Sequence, residues 1–266
     1  DQSLDVLREA LRSDEFGPST QAAIGRIDAE YGFEATPVLE QWLATSLPAR
    51  DQAIAASALL KAGQRDAIVL LQDLILQRPA PDQAVALQQL FQVGTIADTS
   101  IIGNLIRTSP SETVKVNAEA VFEVTETDKR LTIVRQGHLS EDAGARVAAA
   151  EVLPFIGRAK EDTTALLAQL ETATLAVEQF HLRRALAIMG HAPSRLVLRS
   201  YAQTPDPTIR HQATFALAEA GVLEEVPALL DLLNDPSRAV RVAAARALLT
   251  LNQRDSPYRL LRVRHG

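Results

Sequence analysis

Asp206-Pro207-Thr208-Ile209-Arg210 opens a stretch that closes at Asn252, and within it the chain repeats itself. The first copy continues through Ala216-Leu217 to Gly221. The second, thirty-one residues later, carries Ser237, Val240-Arg241, Ala247-Leu248 and Asn252. Between them lies an apolar run, Val226-Pro227-Ala228-Leu229-Leu230-Asp231-Leu232-Leu233. Asp before Pro supplies a side-chain acceptor for the free N–H groups of a first helical turn. Pro is tolerated at the first helical position because its missing N–H has no helical partner there. Gly or Asn at the far end enters the left-handed conformation that stops a helix. Each copy is therefore expected to be a helix, a break and a second helix. One such pair cannot bury both of its faces, so stacked pairs must share a core.

The period runs along the chain. Helix terminators fall at Gly32, Gly63, Gly94, Thr125, Gly157, Gly190, Gly221 and Asn252, in steps of 31, 31, 31, 32, 33, 31 and 31 residues. Eleven positions before them stand Gln21, Gln52, Gln83, Val114, Arg146, Gln179, Arg210 and Arg241. Four before them stand Leu59, Leu90, Val121, Leu153, Leu186, Leu217 and Leu248, with Asp28 breaking the column in the first unit. Eleven after them stand Leu43, Leu74, Leu105, Tyr201, Leu232 and Val263. The spacing predicts A helices over 3–13, 34–46, 65–77, 96–108, 127–138, 160–171, 192–203 and 223–234. B helices follow over 18–31, 49–62, 80–93, 111–124, 142–156, 176–189, 205–220 and 236–251. A last short helix near Pro257–Arg264 closes the stack. Ala55, Ala86, Ala149, Ala213 and Ala244 form a column of small residues where B helices must approach closely. Asp206 and Asp235 are expected as N-caps.

Asp235–Leu248, read as Asp-Pro-x-x-x-Val-Arg-x-Ala-Ala-x-x-Ala-Leu, resembles the HEAT-repeat pattern. The 31-residue period is similar to the short variant called phycobilisome-lyase HEAT-like repeats. The resemblance covers essentially the whole chain, 1–266, as a single repeat domain. It implies an all-α, right-handed α–α superhelix of about eight helix pairs plus the closing helix. It is specific for fold and unspecific for function. The unit at 111–125 departs from it, with Val114 in the Arg column and Thr125 as terminator.

Composition narrows the function classes. The 266 residues are 47% hydrophobic but only 4% aromatic, with a formal net charge of -6. A general nucleic-acid binder usually needs basic excess, so the charge argues against one. With no cysteine, thiol catalysis, disulfides and Cys-ligated metals are excluded. No apolar run reaches the roughly 18 residues of a membrane span. A chain that opens at Asp1 without Met leaves room for a trimmed leader. A soluble protein of cytoplasm or periplasm is expected.

The motifs of catalysis are thin. There is no Gly-rich phosphate loop, no Gly-x-Ser-x-Gly elbow and no His-Glu pair of the kind that resembling deoxyhypusine hydroxylases use for metal. His181 and His211 share a phase on adjacent B helices, with Glu178 nearby. They are expected to be packing or surface histidines, and no catalytic, cofactor or metal residue is assigned. The Gln/Arg column is expected as a structural ladder in which Arg pairs with turn Asp residues, either locally (Asp142–Arg146, Asp206–Arg210) or between units. Phe91, Phe122 and Phe155 are expected in the core.

Two surfaces remain for binding. The outward row of the B helices is expected to read Arg26, Ser57, Gln88, Glu119, Glu151, Arg184, Phe215 and Arg246, with an acidic centre. Residues 1–50 hold nine acidic side chains against four Arg, whereas 238–266 hold seven Arg, including Arg259, Arg262 and Arg264, against Asp255. The expected function is a non-catalytic protein–protein interaction scaffold. Its partner is a protein, gripped at Arg184, Phe215 and Arg246 or at Arg259, Arg262 and Arg264. A phycobilin-lyase-like subunit handling a tetrapyrrole is the alternative.

Overall fold

In a computed structural model the chain is described at residues 6, 39–40, 43–44, 47–61, 63–94, 99–125, 132–156 and 159–252. Alternating helices fill these segments. B helices are α1 (Ala49–Lys61), α3 (Ala80–Val93), α5 (Glu112–Thr125), α7 (Ala143–Ile156), α9 (Ala176–Ile188), α11 (Pro207–Ala220) and α13 (Arg238–Asn252). A helices are α2 (Ile68–Gln77), α4 (Thr99–Thr108), α6 (Thr132–Gly137), α8 (Ala159–Thr172), α10 (Ala192–Tyr201) and α12 (Val226–Leu232). Short 3₁₀ turns, Arg65–Ala67 and Leu223–Glu225, lead into α2 and α12. No strand occurs among the described residues, and the fold is an all-α stack of HEAT-like helix pairs. Apart from Val6, the first pair lies outside the described residues, as do Gly32, Gly157 and the expected closing helix at Pro257–Arg264.

Two compact units divide the chain, one of Leu11–Ala148 and the other of Asp1–Ala10 with Ala149–Gly266. Within the first, α1 packs on α3 and α3 on α5, while α2 and α4 fill the second layer. Within the second, α9 packs on α11 and α11 on α13, with α10 and α12 behind.

The turns form as the residue types demand. Gly63, Gly94, Gly190 and Gly221 have φ of 91, 70, 92 and 68°. At Gly63 the chain closes as a Schellman turn, with Gln64 N donating to Leu59 O at 3.0 Å and Gly63 N to Leu60 O at 3.1 Å. Asp206 caps α11 through Thr208 N at 2.8 Å, with Pro207 at its first position. Asp235 behaves differently. Helix α13 begins three residues later, at Arg238, and the Asp235 carboxylate accepts from Ser237 N at 2.7 Å inside the turn.

The leucine column lies in the core of each unit. Leu59, Leu90, Val121, Leu153, Leu186 and Leu217 are all at most 4% exposed; Leu248 is half-buried against the cluster of Ala218, Leu229 and Ala247. The alanine column is closed completely, with Ala86, Ala149, Ala213 and Ala244 at 0%. Phe91 and Phe155 are buried and Phe122 half-buried, as expected of core residues. Among the described residues, no helix is long and apolar enough to cross a membrane.

Candidate functional site: the B-helix face of residues 149–252

The polar columns must be sorted into those that build the stack and those left over. The Gln/Arg column builds it. Gln52 Nε2 donates to Leu47 O at 3.0 Å, Gln83 Nε2 to Ile75 O at 2.8 Å, and Gln179 Nε2 to Ala173 O at 2.7 Å. Arg146 Nη1 donates to the carbonyls of Ser140 and Glu141, Arg210 Nη1 to those of Thr204 and Pro205, and Arg241 Nη1 to those of Asp235 and Pro236. Carbonyls at and just beyond a helix C-terminus lack intrahelical partners. Each side chain therefore reaches back from helix B and clamps the end of the segment before it. Gln and Arg both qualify because each offers a terminal N–H at the same reach.

Arg210 does a second job. Its Nε and Nη2 each meet the Asp235 carboxylate at 2.8 Å, joining one unit to the next. Of the two pairings expected for Arg210, the inter-unit one forms; Asp206 turns its carboxylate to the helix cap instead. Burial alone would raise the Asp235 carboxyl. The Arg210 hydrogen bonds, the Ser237 N–H and the charges of Arg210 and Arg241 outweigh it and hold the group below its ordinary value. A parallel link joins Arg199 to Glu225, whose side chain is fully buried, at 2.9 and 2.7 Å, with Arg195 at 3.3 Å.

Two members of the row expected to face outward, Ser57 and Glu119, are buried instead. Ser57 is fully buried and donates to Gln89 across the α1–α3 seam at 2.8 Å. Glu119 is 8% exposed and accepts from Ile133 N and Val134 N at the start of α6, at 3.1 and 2.5 Å. These residues lie in the seam between helices that the alanine column draws close together. The acidic centre expected of a free surface is thus partly spent in the fold.

In the unit holding residues 149–252 the same row is half-buried and linked. Arg184 of α9 binds Glu151 of α7 at 3.3 Å and Glu219 of α11, with Nη2 to Oε1 at 2.7 Å and Nε to Oε2. His181 Nδ1 lies 3.2 Å from Glu151 Oε1, without the alignment of a hydrogen bond. Glu178, the carboxylate expected beside the histidines, is 2% exposed and accepts from Gln169 Nε2 at 2.9 Å. Phe215 of α11 carries Arg246 of α13 over its ring at 4.4 Å and His211 against its edge at 5.0 Å. The structure thus brings together Arg184 with its carboxylates and Phe215 with Arg246. Arg259, Arg262 and Arg264 lie outside the described residues. Among the described residues, no group of three or more His, Asp or Glu is placed to hold a metal ion.

This arrangement defines a repeat-built helical platform carrying an ordered row of charged and aromatic side chains. Residues 193–265 match the family model described as HEAT repeats, which supports the HEAT-repeat reading over the final units. Curated proteins gave no match to the chain. Among solved structures, human deoxyhypusine hydroxylase in complex with glycerol is similar at 17% identity, covering 93% of this chain and 96% of its own, with a TM-score of 0.45. A likeness of that strength carries no argument about activity.

Proposed function

We propose that the chain is a non-catalytic protein-interaction scaffold and that its partner docks on the B-helix face of α7, α9, α11 and α13. One observation carries this reading. Four successive B helices present, in phase, half-buried Glu151, Arg184, Phe215 and Arg246, and ion pairs or ring contacts link these side chains to their neighbours. Side chains ordered before binding lose less entropy on contact, and partly exposed Arg and aromatic groups are the types that anchor protein interfaces. The basic segment with Arg259, Arg262 and Arg264 is the second contact we assign to the partner. A bilin-handling subunit rests on the short repeat period alone, and incubation with a bilin would reveal it by an absorbance change.

The test compares capture of partners from the native source by wild type and by a Phe215→Ala/Arg246→Ala variant of matched fold. Loss of the captured protein supports the face. Equal capture, with loss instead in an Arg259/Arg262/Arg264→Glu variant, moves the site to the basic segment. Stoichiometric zinc or iron in protein purified without a tag would overturn the non-catalytic reading.

A further inference from the structure

Phe215 is held from two sides. Arg246 sits over its ring, and His211, one turn earlier on α11, meets it edge-to-face at 5.0 Å and 76°. All three side chains are half-buried in the seam between two successive B helices. No carboxylate lies within ion-pair range of His211 among the described residues.

The other charged groups on the surrounding helices do not change that. On α9, Glu178 accepts from Gln169, while His181 and Arg184 face Glu151. On α10, Arg195 and Arg199 turn to Glu225. On α11, Glu219 is held by Arg184 and Arg210 by Asp235. On α13, Arg241 clamps turn carbonyls. Of the remaining charges, Arg183 of α9 and Arg238 of α13 are cationic, and Asp231 of α12 is an exposed carboxylate that forms no ion pair with His211. Burial, then the Arg246 charge, disfavours the imidazolium and holds His211 below its ordinary titration range.

We propose that His211, Phe215 and Arg246 form a proton-operated latch on the B-helix face. With His211 neutral, Arg246 rests on Phe215. A proton on His211 crowds two cations against one ring, and Arg246 leaves it. Acid therefore loosens the Arg246 end of the row. As a control on partner binding, the latch rests on the face proposed above. As a device within the chain, it stands without a partner.

The experiment follows the histidine and Arg246 side-chain resonances of the whole chain by NMR between pH 8 and 4, in wild type, His211→Gln and Arg246→Gln. The ring-current displacement of the Arg246 side-chain signals by Phe215 should collapse in wild type along the titration of His211. It should persist across the same range in His211→Gln. The His211 titration should move to higher pH in Arg246→Gln. An Arg246 displacement that ignores the His211 titration, or a His211 titration unchanged in Arg246→Gln, overturns the latch. Partner capture is then measured at both ends of the pH range. Release in acid by wild type but not by His211→Gln ties the latch to binding. A latch that moves while capture stays constant leaves the latch standing and removes the B-helix face as the docking site.

Discussion

Truncating Leu217 to Ala tests the core directly. The side chain is fully buried among Ala187, Leu198, Ala202, Ala213, Ala216 and Ala220, with Phe180, Tyr201, Val222 and Leu232 packed around it. The substitution removes three carbons, which at about 0.8 kcal/mol each is a transfer loss of about 2.4 kcal/mol. Alanines have no rotamers that could swing into the space, so most of the cavity stays open. The cavity contribution then brings the total to about 4 kcal/mol, in the upper part of the usual range for Leu→Ala. Leu248, half-buried in the equivalent position, should lose about half as much. Urea unfolding measures both, as a lower midpoint at unchanged slope. Amide exchange should show α9, α10 and α11 of Leu217→Ala losing protection first. Leu217→Asp should cost more still, since it strands a charge in the same place. A Leu217→Ala loss below about 2 kcal/mol, or one no larger than that of Leu248→Ala, would refute the assignment of this column to the core.

Other expectations follow from single observations. Gly94 has a φ of 70° and nothing within 4 Å of an added Cβ, so Gly94→Ala should cost only the left-handed backbone strain of about 1–2 kcal/mol, read as a lower melting temperature. Asp235 is held below its ordinary value, so its contribution is present above about pH 3.9 and is lost as pH falls below that point. Asp235→Asn should therefore be less stable at pH 7 and show a flatter acid limb in melts between pH 7 and 2; an unchanged acid limb would mean the Arg210 link does not set it. If the basic segment contacts an acidic partner, binding should weaken as salt shortens the Debye length from about 10 Å at 0.1 M to about 3 Å at 1 M. The Arg259/Arg262/Arg264→Glu variant should lose that salt dependence, and isothermal titration across the same salts would show it.

Much of the architecture was legible because the repeat states it many times over. The glycine spacing located the left-handed turns at Gly63, Gly94, Gly190 and Gly221, and the leucine column identified buried positions. The burial of Ser57 and Glu119 within the outward row was not legible. Periodicity gives an angle around one helix but not how near the next helix comes, and the alanine column brings it near enough to bury Ser57 and Glu119. The same limit explains the partner of His181. Sequence proximity pointed to Glu178, whereas stacking supplies Glu151, thirty residues earlier on α7. Its signal was present as phase, since Glu151 and Arg184 share the row. Arg199 and Glu225 lie on an A helix and a 3₁₀ turn of successive units, a pairing that no local spacing announces.

The clamps from Gln52, Gln83, Arg146, Gln179, Arg210 and Arg241 each stay within one unit, and the links between units reach only to the next. Among the polar links described, the longest in chain separation is Arg184 to Glu219, 35 residues. Among the described residues, segments tied together over such short distances close small loops, which favours fast local folding. The chain can also change length in whole units. Duplicating or deleting about 31 residues would return every clamp to an equivalent carbonyl and every bridge to an equivalent neighbour, whereas a single inserted residue inside a B helix would turn its leucine out of register. Such a molecule can be lengthened by copying before it is refined by substitution, and its reach is set by how many times the copy was made.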